Sequence, residues 1–330
     1  MSLDGTRMHP AGRAGERSFS GKVIITAALA GSVTMKEHNP SVPYTPEEFA
    51  REAKQAEEAG AAAVHVHFRD PVSGRPTTDP AVMAEVVQAI RENTRLLLNL
   101  STGVSLDSTR EERKRPIALH SPDLASLNPG TMNFCTVNHK DGRIIADATY
   151  YNPLEATLEF GTCMAERGIK PELECFGLSH VHNALFFFEH YDFLKPPLHF
   201  SFVYGVMGGV RFNSDILNSF IHAIPPGSTW QGIGAGPLCF RVAMASAIFG
   251  GHIRVGLEDN IYIDPVTKEK SKGNWDQVGK AVEIARLAGR EPATPDEARL
   301  ILSLPSKPQA LSLQGEGQGE GQLRSPLGEG

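Results

Sequence analysis

One feature constrains this chain more than any other. Short apolar runs alternate with helical stretches eight times between residues 23 and 304. The runs VIITAAL (23–29), AAVHVH (62–67), RLLLNL (95–100), DLASLN (123–128), KPELECF (170–176), PLHFSFV (197–203), STWQGIG (228–234) and HIRVGLE (252–258) read as strands. Helical segments follow them at 45–60, 80–93, 109–119, 156–168, 180–190, 213–223, 237–251 and 274–289, and a last one closes the pattern at 294–304. The first helix carries its own punctuation: Thr45 as N-cap, Pro46 at the first helical position, Glu48 three residues after the cap, and Gly60 as the stop. Strand–helix alternation implies a parallel sheet. Eight such units in roughly 270 residues predict an α/β fold of the closed (β/α)8 TIM-barrel type. An open dinucleotide-binding sheet would carry G-x-G-x-x-G after its first strand, and GSVTMK does not match it.

The barrel is expected to occupy residues 21–305 as one catalytic domain, with no linker inside it. Residues 1–20 are polar and rich in Gly and Arg, and read as a mobile N-terminal arm. Residues 306–330 carry a GEGQ repeat and read as a low-complexity tail, too poor in apolar surface to offset ordering entropy. A net charge of -6 argues against a nucleic-acid partner. No apolar run approaches the ~18 residues of a membrane helix, and the first twenty residues lack a signal-peptide core. Cys135, Cys163, Cys175 and Cys239 form no CxxC pair, which fits free thiols in a reducing cytoplasm.

In such a barrel the active site forms where the strands end, and the polar residues of this chain collect there. His65 and His67 end the second strand. Residues i and i+2 of a strand share a face, so both imidazoles can point inward at one ion. Catalytic zinc commonly takes three protein ligands and keeps a position open. Glu258, at the end of the eighth strand, is placed to supply the third, because strand eight adjoins strand one in a closed barrel. Asp259 follows it and is a candidate general base. Arg254, in the same strand, needs an anionic partner, either Asp259 or a substrate carboxylate. Ser101, Thr102 and Gly103 form a polar turn after the third strand, and Ser126 and Asn128 end the fourth. Glu172 and Glu174 share one face of the fifth; turned inward, they would orient metal ligands, bind a cationic group or bind a basic residue. His180 and His182 fall at a helix start, where i and i+2 diverge, and read as structural. His120, His190, His199 and His252 lack a partner pattern and take structural roles.

These residues resemble the β-keto acid cleavage enzymes over roughly 22–304. The resemblance rests on TAALAGS (26–32), NPSVPYTPEE (39–48), GAAAVHVHFRDPVSGRPT (60–77), LNLSTG (98–103), LASLNPGTMNF (124–134), PELE (171–174) and GGHIRVGLEDN (250–260). It implies a zinc-dependent (β/α)8 barrel, a homo-oligomer, that converts a β-keto acid and acetyl-CoA into acetoacetate and a new acyl-CoA. It implies His65, His67 and Glu258 as Zn2+ ligands. It further implies Asp259 as the base that takes a proton from the acetyl-CoA methyl group, Arg254 as its partner, and Ser101 as a participant in CoA transfer. Two positions depart from the member that cleaves an amino-bearing keto acid. Val33 stands in place of a glutamate and Pro237 in place of an arginine, so a neutral or apolar keto-acid tail is expected. A CoA-independent metal-dependent aldolase or hydrolase would use the same ligands. A barrel that only binds a metal or metabolite would not need Asp259.

Overall fold

The computed structural model describes residues 21–305, His139 excepted; the proposed arm and tail lie outside the described residues. Eight parallel strands close into a barrel: β1 (Ile25–Ala30), β2 (Ala63–Val66), β3 (Leu97–Leu100), β4 (Leu124–Leu127), β5 (Lys170–Cys175), β6 (His199–Tyr204), β7 (Thr229–Gly234) and β8 (His252–Val255). β8 pairs with β1, so the ring closes as the sequence predicts. The outer ring is α1 (Pro46–Ala59), α2 (Pro80–Asn93), α3 (Arg110–His120), α4 (Leu154–Glu166), α5 (Leu178–His190), α6 (Ser214–Ala223), α7 (Cys239–Ile248) and α8 (Asn274–Leu287). A short α9 (Pro295–Ile301) follows. The cap of α1 is built as expected: Thr45 accepts from the Glu48 amide, Glu48 answers the Thr45 amide, and Gly60 is left-handed at φ 112°.

The strands alternate strictly in character. Outward residues such as Ile25, Val64, Leu98, Leu127, Phe200 and Val255 pack under the helices as the apolar core. Many inward residues of the middle of the barrel are polar, and several of them satisfy one another. Glu172 on β5 is fully buried and accepts hydrogen bonds from Asn99 of β3, Ser201 of β6 and, at 2.7 Å, Gln231 of β7. Thr26 of β1 donates to Gln231 at 3.1 Å. Five strands are thereby tied through the barrel interior by buried, partnered polar groups. Glu172 is thus the hub of a barrel floor and is given over to its neighbours there. Nearer the other end, His199 bonds Thr229 (2.9 Å), and His252 accepts from the Ile24 amide (3.1 Å), both structural as expected.

Between β4 and α4 lies an excursion that periodicity did not reveal. Met132–Asn133 pairs with Thr149–Tyr150, and Thr136–Val137 pairs with Ile144–Ala146. Its signal was the Asp141-Gly142 turn, with Gly142 at φ 73°. The excursion roofs the C-terminal mouth of the barrel. Among the described residues no helix is long and apolar enough to cross a membrane.

Candidate metal centre and active site

β2 delivers His65 and His67 to the C-terminal mouth on one side, with ring centroids 5.2 Å apart. Glu258 arrives from the other side of the barrel seam. It does not end β8, as the sequence suggested. The strand stops at Val255, and Gly256 at φ 147° turns the chain out of the ladder. The amides of Gly256 and Leu257 then bond Gln277 (3.2 Å) and Asn274 (2.9 Å) on α8 rather than a neighbouring strand. Glu258 and Asp259 therefore sit in a buttressed turn. Gly31 makes room for that turn, since a Cβ there would lie 2.5 Å from the Glu258 Cγ.

The three side chains converge. His65 Nε2 lies 3.8 Å from Glu258 Oε2, and His67 Nε2 lies 3.5 Å from Glu258 Oε1. One donor atom from each falls within 4.8 Å of the others. His65 Nδ1, His67 Nδ1 and Glu258 Oε2 are buried, and none has a hydrogen-bond partner among the described residues. Such orphans are costly unless something else satisfies the cluster. Burial, and then the Arg254 guanidinium, push His65 down to about 3, so its ring is neutral. Burial alone would raise Glu258, but Arg254 and the two imidazoles hold it below the usual carboxylate range. A neutral His65 ring beside an ionised carboxylate, in a cluster with unsatisfied buried polar atoms, fits a divalent cation.

Arg254, buried at 3% exposure, is the electrostatic centre. It meets Asp259 through Nε–Oδ2 (3.0 Å) and Nη2–Oδ1 (3.2 Å), Glu258 at 2.5 Å, and Glu174 at 3.4 Å. Its partner in the structure is thus Asp259. Burial raises Asp259 to about 6, with Glu258 adding to the rise and Arg254 opposing it. Burial, and then Glu172, push Glu174 up to about 8 against the pull of Arg254.

A cavity of about 450 Å³ opens over this cluster. His67, Glu174, Arg254, Glu258 and Asp259 line its base, and Ser101, Gly103 and Val33 line its wall. Ser101 Oγ accepts from the Gly103 amide at 3.0 Å. Thr102 turns away and locks to Ser126: its amide donates to Ser126 Oγ (3.0 Å) and its hydroxyl to the Ser126 carbonyl (2.8 Å). Ser126 and Asn128 are buried outside the cavity lining, Asn128 beside Tyr150 and Glu174. Pro237 corrects an expectation. It is exposed in a short 3-10 turn and does not line the cavity; Ala235 does. Gly236 at φ 57° turns the chain aside there, and its amide is tied to the Asp259 carbonyl at 2.7 Å. His180 accepts from the Phe176 amide at 3.4 Å and packs against that ring, a structural role as expected, and His182 faces solvent. Among the lining residues that sequence reasoning missed are Phe134, Cys135 and Tyr150 from the excursion, and Phe176, Met207 and Ile233 from the loops and strands of the far wall.

The sequence profile of the β-keto acid cleavage enzymes matches residues 22–304. The chain belongs to that family. Like other β-keto acid cleavage enzymes it is an enzyme, and its relatives align along nearly their whole length. A 3-keto-5-aminohexanoate cleavage enzyme of Fusobacterium nucleatum is 41% identical over 284 residues, covering 86% of this chain and 98% of that one. A 3-oxoadipate:acetyl-CoA acetyltransferase of Cupriavidus necator is 33% identical, covering 86% and 95%. A solved ternary complex of ObcA with a C4-CoA adduct and oxalate superposes with a TM-score of 0.68 at 22% identity, over 80% of this chain and 68% of that one, and shares the barrel fold.

Proposed function

We propose that this β-keto acid cleavage enzyme uses a zinc ion held by His65, His67 and Glu258 to convert a β-keto acid with a neutral or apolar tail, together with acetyl-CoA, into acetoacetate and a new acyl-CoA. The observation that carries the reading is a general base, Asp259, fixed by Arg254 directly beside three convergent metal donors, at the base of a cavity. A site that only bound a metal would have no use for that base. The relatives named for acetyl-CoA chemistry support the second substrate.

Bond bookkeeping assigns Asp259 a different proton from the one expected. If the acetyl-CoA methyl carbon attacked the ketone, no later cleavage of the adduct would yield acetoacetate. If Asp259 takes the proton from C2 of the keto acid, the C2 carbanion attacks the thioester carbonyl. The thiolate then moves to the neighbouring ketone carbon, and the C2–C3 bond breaks. The acyl group leaves on CoA, and C2, now bearing the acetyl group, becomes acetoacetate and recovers a proton from Asp259. A pKa near 6 suits a base that must take and return a proton near neutrality. Arg254 holds the carboxylate in place throughout, and Ser101 offers a hydroxyl at the cavity wall. A bound zinc ion would supply Lewis acidity toward the keto acid.

The tail assignment rests on the lining. The charged side chains cluster at the cavity base, whereas the rest of the lining is uncharged, with Val33, Leu106, Phe134, Val137 and Met207 beside hydroxyl side chains such as Ser105 and Thr136. An ammonium placed among them would lose water without gaining a counter-ion. The test compares kcat/KM for 3-oxohexanoate with that for 5-amino-3-oxohexanoate. The neutral acid is expected to be favoured at least tenfold, and Val33→Glu to reverse the order. A wild-type preference for the amine would reject the assignment.

A further inference from the structure

Arg69 is the largest fully buried side chain among the described residues, at 0% exposure. Among the described residues no carboxylate lies within ion-pair distance of it, although the Glu258 carboxylate acts on it through space. It lies two residues beyond His67, in the loop that leaves β2. Its guanidinium is instead spread over backbone carbonyls of two loops. Nη1 donates to Gly74 (2.8 Å) and Ser32 (3.4 Å), and Nη2 donates to Thr34. The Tyr44 ring lies 5.8 Å from it and also packs on Gly74, which has no side chain to intrude. The Tyr44 hydroxyl accepts from the Lys36 amide of the same loop at 2.7 Å.

A buried guanidinium without a paired carboxylate is expensive, so what it holds is informative. It holds the segment Gly31–Thr34, and all four of those residues line the cavity. The same segment touches the metal centre: Thr34 Oγ1 donates to the Glu258 carbonyl at 3.3 Å, and Gly31 abuts the Glu258 side chain. We propose that Arg69 is a positioning residue for substrate selectivity, fastening the β1–α1 loop so that Val33 and its neighbours form a fixed wall against the keto-acid tail. The idea rests on the functional reading above for the identity of the substrate, but not for the geometry of the loop. A planar fork bridging carbonyls of two loops is something a lysine cannot reproduce.

Arg290 provides the comparison. It too is buried and donates to backbone carbonyls, those of Ala247 (3.3 Å), Gly251 (2.5 Å) and Lys22 (2.8 Å), but at the opposite end of the barrel. The experiment uses the full-length chain and three variants: Arg69→Met, Arg290→Met and Tyr44→Phe. The last removes only the hydroxyl that holds the loop through the Lys36 amide. Two quantities are read: the ratio of kcat/KM between the preferred β-keto acid and one with a tail two carbons longer, and backbone hydrogen exchange across residues 31–38. Arg69→Met is expected to raise the KM for the keto acid more than it lowers kcat, to cut the ratio about tenfold, and to speed exchange in that segment. Tyr44→Phe is expected to shift both in the same direction by a smaller factor, and it decides the matter if Arg69→Met does not fold. Arg290→Met is expected to lower thermal stability and leave the ratio intact. If Arg69→Met or Tyr44→Phe lowers stability while both ratio and exchange stay at wild-type values, Arg69 is merely structural and the proposal is overturned. A wild-type chain that turns over no β-keto acid would instead overturn the functional reading, and the exchange result alone would then judge Arg69.

Discussion

The Arg254 guanidinium grips both oxygens of Asp259, at 3.0 and 3.2 Å, while the carboxylate lies on the cavity floor. A carboxylate held in this way cannot swing away from the cavity. It also stays basic, because burial outweighs the arginine and raises it to about 6. Asp259→Asn keeps the shape and the hydrogen-bonding oxygen but cannot take a proton. It is expected to lower kcat by about 10²–10⁴-fold, the usual worth of a general base. Metal content, measured by elemental analysis, is expected to stay at the wild-type level. A variant that kept wild-type kcat would remove Asp259 from the chemistry.

Arg254 also faces Glu258 and Glu174, so three largely buried acidic side chains share one cation. Arg254→Met leaves them without it. Breaking a buried pair by removing one partner typically costs about 3–5 kcal/mol, and a loss of that size is expected in urea unfolding. Arg254→Lys restores the charge but not the fork, and is expected to fall between the two. Equal stability of Arg254→Met and the wild type would contradict the account of this cluster.

Stability should depend on pH through the opposite end of the barrel. Burial, and then Lys170, push His199 down to about 3, and burial, then His199, hold His252 well below its ordinary value. In the unfolded chain each takes a proton below about 6.5. Between that value and about 3 the unfolded state binds more protons, so stability falls as pH falls through this window. The slope is about 1.4 kcal/mol per pH unit for each such histidine. His199→Gln is expected to make the decline between pH 6 and pH 4 shallower by that amount in urea midpoints. Parallel slopes would show that His199 is not held neutral.

The barrel was legible because its signals are local. Thr45, Glu48 and Gly60 punctuate α1 as their residue types require, and β-branched and aromatic runs mark the strands. The candidate metal donors were legible because residues i and i+2 of an extended segment share a face, which puts His65 and His67 together. What lay hidden depends on the third dimension. Glu172 was open to three roles in sequence, and only closure of the ring brings Asn99, Ser201 and Gln231 around it. Pro237 sits near the active site in sequence, yet one left-handed glycine turns it outward. The cavity roof rests on Phe134 and Tyr150, apolar residues in an irregular stretch with no period to expose them. Arg69 gave no signal at all, because its partners are backbone carbonyls and carry no residue type.

The central claim is that metal and base act together on a β-keto acid and acetyl-CoA, and one measurement meets it most directly. The zinc-loaded protein is given 3-oxohexanoate and acetyl-CoA labelled with carbon-13 in both acetyl carbons, and the products are weighed by mass spectrometry. The account predicts acetoacetate carrying both labelled carbons, an unlabelled acyl-CoA, and loss of both metal and product in His65→Ala. Unlabelled acetoacetate, or product formed equally well without acetyl-CoA or by His65→Ala, would contradict it.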